Sequence, residues 1–314
     1  EQPSGSISAT VGFAEDTGLI LGLSYQESNV FGTGNSINIG VNRSDFQEAL
    51  SFSFFDPYYT VDGVSRGYSV FFRKSDFEEF NIASFSTDSY GASVNFGYPI
   101  SEVSRIGFSF GYESTRIQEG VIPAQEISAF IDKEGDQFDL LSLTATYSMS
   151  ALNRGLMPTA GRSQSLSFEM TIPGSELEFF RINYNGQIFY PLFGPLVMRL
   201  RTDLGYGEAY GSTETFPFYK HFFSGGMGSV RGYESNTLGP RSTPSPQDQF
   251  REPDPIGGNV LIEFSAEILF PLPFIEEQSQ MRSVFFVDAG NVFNTNCAAV
   301  SVVCLDLDEG ELRY

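Results

Sequence analysis

At 314 residues the chain exceeds one average soluble domain, yet a single β-barrel commonly reaches this length. Phe 32, Tyr 15 and Gly 32 with no Trp, 41% hydrophobic and 18% charged residues describe a strand-rich chain with many turns; no stretch approaches the roughly 18 to 20 apolar residues of a membrane-spanning helix, so a helical membrane protein is excluded. A net charge of -21 excludes a nucleic-acid partner, because nucleic-acid phosphates would be repelled. Mean hydropathy, -0.12, is what alternation of lipid-facing and lumen-facing residues averages to. The opening Glu1-Gln2-Pro3 lacks the basic and apolar parts of a signal peptide, so any export signal is expected upstream or already removed.

Taken in chain order, period-two segments are predicted near Ile7 to Phe13, Leu19 to Tyr25, Ile37 to Val41, Leu50 to Phe54 and Tyr68 to Phe72. The pattern then strengthens. Tyr90, Ala92, Val94, Phe96 and Tyr98 oppose Gly91, Ser93, Asn95 and Gly97; Ile106, Phe108, Phe110 and Tyr112 oppose Gly107, Ser109, Gly111 and Glu113. The same split recurs with Leu141, Leu143, Ala145 and Tyr147, with Leu166, Phe168, Met170 and Ile172, and with Phe180, Ile182, Tyr184, Ile188 and Tyr190. Leu196 to Leu204, Val260 to Phe270 and Arg282 to Val292 bring the strands to about thirteen. Segments of about ten residues suit a tilted strand crossing a bilayer, whereas sandwich strands are nearer five or six. The expected fold is all-β, a transmembrane antiparallel β-barrel forming one domain over residues 1–314.

Links alternate in length, as in membrane barrels. Compact ones follow aromatic-proline ends at Tyr98-Pro99, Tyr190-Pro191 and Phe270-Pro271, which suit the headgroup level, and are expected to be periplasmic. Long ones, Ile117 to Gln137 and about 209–258, are expected to be extracellular. Acidic runs at Glu78-Glu79, Asp132 to Asp136 and Asp306 to Glu311 fall in links and read as solvated loops.

Within the longest link stands Phe222-Phe223-Ser224-Gly225-Gly226-Met227-Gly228-Ser229-Val230-Arg231-Gly232-Tyr233-Glu234-Ser235-Asn236-Thr237-Leu238-Gly239-Pro240. This segment resembles the sixth extracellular loop of the BamA family, with its Val-Arg-Gly-Tyr or Val-Arg-Gly-Phe signature. The likeness spans the chain, through Asn29 to Gly34, Asp56 to Gly63, Arg154-Gly155 with Pro158-Thr159, and Phe285 to Phe293. It implies a loop folded back into the lumen by Val230, Arg231, Gly232 and Tyr233, the arginine meeting acids of the inner wall. Alternation places Asp288, Glu263 and Glu267 inward; Arg231 is expected on Asp288, with Glu267 as a further partner.

The resemblance also implies a function: folding and insertion of outer-membrane proteins in the bacterial outer membrane, through a lateral gate at the first strand. That strand contains Ser6, Ile7, Ser8, Ala9, Thr10, Val11 and Gly12, whose small residues suit an edge that parts from its neighbour. Implied partners are unfolded outer-membrane β-barrel substrates, outer-membrane lipids and lipopolysaccharide, and accessory assembly lipoproteins reached through periplasmic repeat domains. Barrels of the family have sixteen strands, so about three, and those periplasmic domains, are expected outside this chain. A polypeptide-secreting pore of the same superfamily, a passive porin-like channel and an inert anchor barrel are the rival readings.

Enzyme chemistry is not expected. His221 is the only histidine, and no oriented acid or oxyanion hole accompanies it and Ser224. Neither a cofactor nor a metal site is expected, since Cys297 and Cys304 lack further ligands; a disulfide clamping an exported loop fits them better.

Overall fold

The computed structural model describes residues 4–14, 18–78, 82, 84–272, 281–295 and 312–313. Among the described residues, thirteen strands form a single antiparallel sheet in which sequence neighbours are spatial neighbours throughout. They are β1 (Gly5–Ala14), β2 (Gly18–Glu27), β3 (Ser36–Arg43), β4 (Gln47–Asp56), β5 (Ser65–Asp76), β6 (Phe85–Pro99), β7 (Ser104–Glu119), β8 (Gln137–Leu152), β9 (Gly161–Thr171), β10 (Phe179–Pro191), β11 (Val197–Ala209), β12 (Val260–Phe270) and β13 (Ser283–Phe293). Beyond β13, Arg313 exchanges both backbone hydrogen bonds with Gly290.

Pairing register converts the alternation into two faces. One inner row runs Ser165, Asn185, Asp203, Glu263, Gly290 across β9 to β13. Outer positions carry exposed apolar side chains, among them Ile7, Val11, Leu23, Val70, Phe108, Leu143, Phe168 and Phe264. That inverts a soluble fold, where such residues would be inside, and matches a wall bathed by acyl chains.

The main buried apolar cluster is accordingly absent from the sheet's outer face and caps its long-link end. β6, β7 and β8 have 15, 16 and 16 residues, more than the roughly 9 to 11 that cross a bilayer, so their ends rise beyond it. There Phe85, Ile117, Phe138 and Leu140 join Phe179 of β10 and Phe216, Phe218 and Ile256 of the long link. A helix completes the cap. The link expected over Ile117 to Gln137 instead begins with three further strand residues of β7, Ile117 to Glu119, and then forms α1 (Gln125–Glu134), whose Ile127 and Phe130 enter the cluster. The Asp132 to Asp136 run is therefore partly helical: Lys133 pairs with Glu214, and Arg116 with Asp136 at 3.6 Å. Glu78 accepts a hydrogen bond from Ser84 at 2.8 Å. Glu79, Asp306 to Glu311, Cys297 and Cys304 lie outside the described residues, so the expected disulfide is not placed.

At the short-turn end, Asn153 braces the β8–β9 turn by accepting from the backbone of Thr159 and Ala160 at 3.1 and 3.2 Å. Arg282 donates across to the carbonyls of Pro158 and Met157 of that turn, at 2.8 and 2.6 Å.

Candidate functional site: a loop arginine on the inner wall

The link between β11 and β12 turns back against the inner face. Three backbone bridges stiffen it: Phe222 with Gly258, Ser224 with Leu238, and Arg241 with Pro255. Glycines at positive φ, Gly225, Gly226 and Gly232, allow its tight reversals around the tip, where a side chain would be strained. Room for the loop is made by glycines of the wall. A Cβ on Gly205 would stand 2.6 Å from the ring of Phe222, one on Gly207 2.4 Å from the ring of Phe216, and one on Gly290 2.9 Å from Val230.

Arg231 is brought together with both expected acids. Its Nε donates to Asp288 Oδ2 at 2.6 Å and its Nη2 to Asp288 Oδ1 at 2.7 Å, the paired geometry that suits a guanidinium and a carboxylate. Nη2 also reaches Glu267 Oε1 at 2.7 Å and Ser265 Oγ at 3.0 Å, and the backbone N–H of Arg231 donates to Asp288 at 3.1 Å. The guanidinium carbon lies 3.7 Å from the ring centroid of Phe286, so the cation stacks on an aromatic face as well. Hydrogen bonding to Asp288 raises the Arg231 pKa further above its ordinary value, so the cation is permanent.

Neighbours extend this contact into a network. Glu267 also pairs with Arg199 of β11 at 3.1 Å, and Arg199 donates to Gln187 at 3.1 Å. Glu263 accepts from Ser224 at 2.6 Å and from Ser229, while Arg201 lies 3.8 Å from its second oxygen and donates to the Gly228 carbonyl. Arg231, Ser224, Ser229 and the Gly228 carbonyl of the tip thus each have an inner-wall partner of opposite character, which is what burial of charge demands. Val230 is fully buried, Tyr233 half-buried, and Gly232 exposed.

Sequence reasoning misses Ser265, Phe286, Ser229, Arg199 and Arg201, and weighs Ser224 only as a partner of His221. Ser265 and Phe286 pair with Asp288 and Glu267 respectively, so the alternation that places the two acids inward already carried the signal.

Above the tip, the loop braces the cap. Lys220 pairs with Glu113 of β7 at 3.0 Å, Arg181 of β10 lies over the ring of Phe222 at 4.8 Å, and Thr243 donates to Glu126 of α1. His221 stacks on Phe216 with ring centroids 5.8 Å apart, and its Nδ1–H donates to the Ile256 carbonyl at 2.8 Å. Burial pushes its pKa down to about 4, so the ring is neutral at ordinary pH and acts as a packing residue.

The gate-strand residues Ser6 to Gly12 all lie in β1, in a continuous ladder with β2 from Gly5 against Glu27 to Ala14 against Gly18. Among the described residues no strand pairs with the other edge of β1.

An Omp85 superfamily domain matches residues 29–303. The outer membrane protein assembly factor BamA of Neisseria meningitidis is 33% identical over 94% of this chain and 38% of its own length. A sorting and assembly machinery component 50 homologue of Xenopus laevis is 24% identical over 93% of this chain and 59% of its own. Among solved structures, BamA from Haemophilus ducreyi lacking POTRA domains 1–3 superposes with a TM-score of 0.87 at 30% identity, over 94% of this chain and 59% of that one. The likeness to BamA read from the loop is borne out, and the chain spans about two fifths of the length of the Neisseria relative.

Proposed function

Because this chain belongs to the Omp85 superfamily, we propose that it forms the barrel of an outer-membrane protein assembly factor, integral to the bacterial outer membrane. The match to BamA proteins over 94% of the chain, in sequence and in fold, carries the reading. Its substrates are unfolded outer-membrane β-barrel proteins, its surroundings outer-membrane lipids and lipopolysaccharide. Accessory lipoproteins are engaged through periplasmic domains. Long links face outward from the cell and short turns the periplasm.

The chemistry required is backbone pairing. An incoming chain in lipid must satisfy its N–H and C=O groups, and a strand edge is a ready template for them. β1 supplies that edge: Ser6, Ser8, Thr10 and Gly12 offer little inward side-chain packing, and its outer Ile7, Val11 and Phe13 are among the most exposed apolar residues of the wall. The Arg231 network holds β12 and β13 to the loop, keeping the rest of the wall in shape while β1 parts from its partner.

The test is reconstitution of the full-length protein in liposomes with an unrelated unfolded barrel protein, following folding by gel mobility. Folding is expected to be faster than into protein-free liposomes, and equal rates would sink the proposal. Arg231→Ala is expected to lower that acceleration; an undiminished rate would remove the loop from the mechanism.

A further inference from the structure

A depression of about 480 Å³ lies on the outer face across β9 to β13. Two rows of outer positions define it. One runs Arg162, Ile188, Leu200, Ala266, Val287; the next runs Gln164, Gly186, Thr202, Phe264, Ala289. Its lining includes the small residues Gly186, Ala266 and Ala289 beside the larger apolar Ile188, Leu200, Phe264 and Val287. Thr202 gives its hydroxyl to the Glu263 carbonyl at 3.1 Å, so only its methyl faces the groove.

The groove is polarised. Arg162 is the second residue of β9, one position inside the short-turn rim, whereas Val287 is the fifth of β13, so the row climbs from the rim toward the membrane interior. Four strand spacings make it about 19 Å long, against roughly 15 Å for half the hydrocarbon core. At the rim end Arg162 is exposed on the lipid side, and no acidic side chain occurs in either row. Cations at headgroup depth pair with phosphate, and a guanidinium does so with two parallel donors.

From this we infer that the groove is a binding site for one anionic glycerophospholipid of the periplasm-facing leaflet, its phosphate on Arg162 and an acyl chain along Gly186, Ala266 and Ala289. The inference rests on the transmembrane fold and stands apart from assembly activity, because lipid retention needs no substrate.

Native mass spectrometry of the full-length protein, released from bilayers of phosphatidylethanolamine with a minority of phosphatidylglycerol, reads the site directly. One phosphatidylglycerol should remain bound. Arg162→Ala and Ala266→Phe, which attack opposite ends of the groove, should each reduce its retention several-fold, and Arg162→Lys should restore part of it. Ala145→Phe, on the outer face of β8 outside the groove, should leave retention unchanged. Equal retention in Arg162→Ala, Ala266→Phe and the unaltered protein would overturn the site. Displacement of the lipid by inorganic phosphate would overturn it too, reducing it to a simple anion contact. Folded barrels are recognised in each variant by their heat-modifiable gel mobility.

Discussion

Arg231 and His221 are two half-buried groups of one loop with opposite electrostatic demands. Arg231 has a carboxylate pair, a hydroxyl and a ring around it, and Asp288 is only 2% exposed, so removing the cation strands a buried anion. Arg231→Ala should cost roughly 3 to 5 kcal/mol. Arg231→Lys should recover less than half of that, since an ammonium can neither span both Asp288 oxygens nor stack on Phe286. The temperature of the heat-modifiable mobility shift measures both; a lysine variant as stable as the parent would show that charge alone matters. His221 gives a pH dependence. Its folded pKa of about 4 lies below the roughly 6.5 of a free imidazole, so the unfolded chain binds a proton that the folded loop refuses. Stability from this group is complete above about 6.5 and is lost as pH falls toward 4, where the folded ring protonates too. Protease cleavage within residues 210–259 should therefore rise between pH 6.5 and 5, before most carboxylates titrate, and the rise should be much smaller in His221→Asn.

Elements show what could be read in advance. The strand over Val260 to Phe270 was expected with its observed bounds, and β13 begins one residue from expectation, because inside a bilayer the two faces differ sharply in polarity. Where strands leave the lipid that contrast disappears. β7 continues through Ser114 and Thr115, both buried under the cap, and its extension was invisible for that reason. α1 was hidden behind its charges: Asp132 and Lys133 suggested a solvated loop, and Ala124 provides no capping side chain. Its signal was present in Ile127, Phe130 and Ile131, spaced three and four apart. The pairing of Arg231 with Asp288 and Glu267 was legible only jointly, from motif and alternation. Alternation places glycines inward without saying what they meet, and Gly205, Gly207 and Gly290 are sockets for loop side chains. Gly207→Val should accordingly lower stability by about 1 to 3 kcal/mol through displacement of Phe216, with Gly207→Ala costing less. Urea-unfolding midpoints of the two variants check this, and a neutral valine would mean that the ring moves aside freely.

Across the whole molecule, the loop packs against the inner face of the sheet and braces the cap, and under the proposed function it stoppers the barrel. In planar bilayers the full-length protein should pass little ion current, and Arg231→Ala should raise it; large steady currents in the unaltered protein would instead support a porin-like channel. The points at which the loop meets the wall are spread around it: Glu113 on β7, Phe85 on β6, Arg181 on β10, Glu263 on β12 and Asp288 on β13. Mechanically, these contacts are the spokes of a wheel whose rim is the sheet. Among the described residues these contacts fall between β6 and β13, so a rim braced this way resists ovalling there, and under the proposed function the strain of an entering polypeptide goes to the arc from β1 to β5, where the first strand lies.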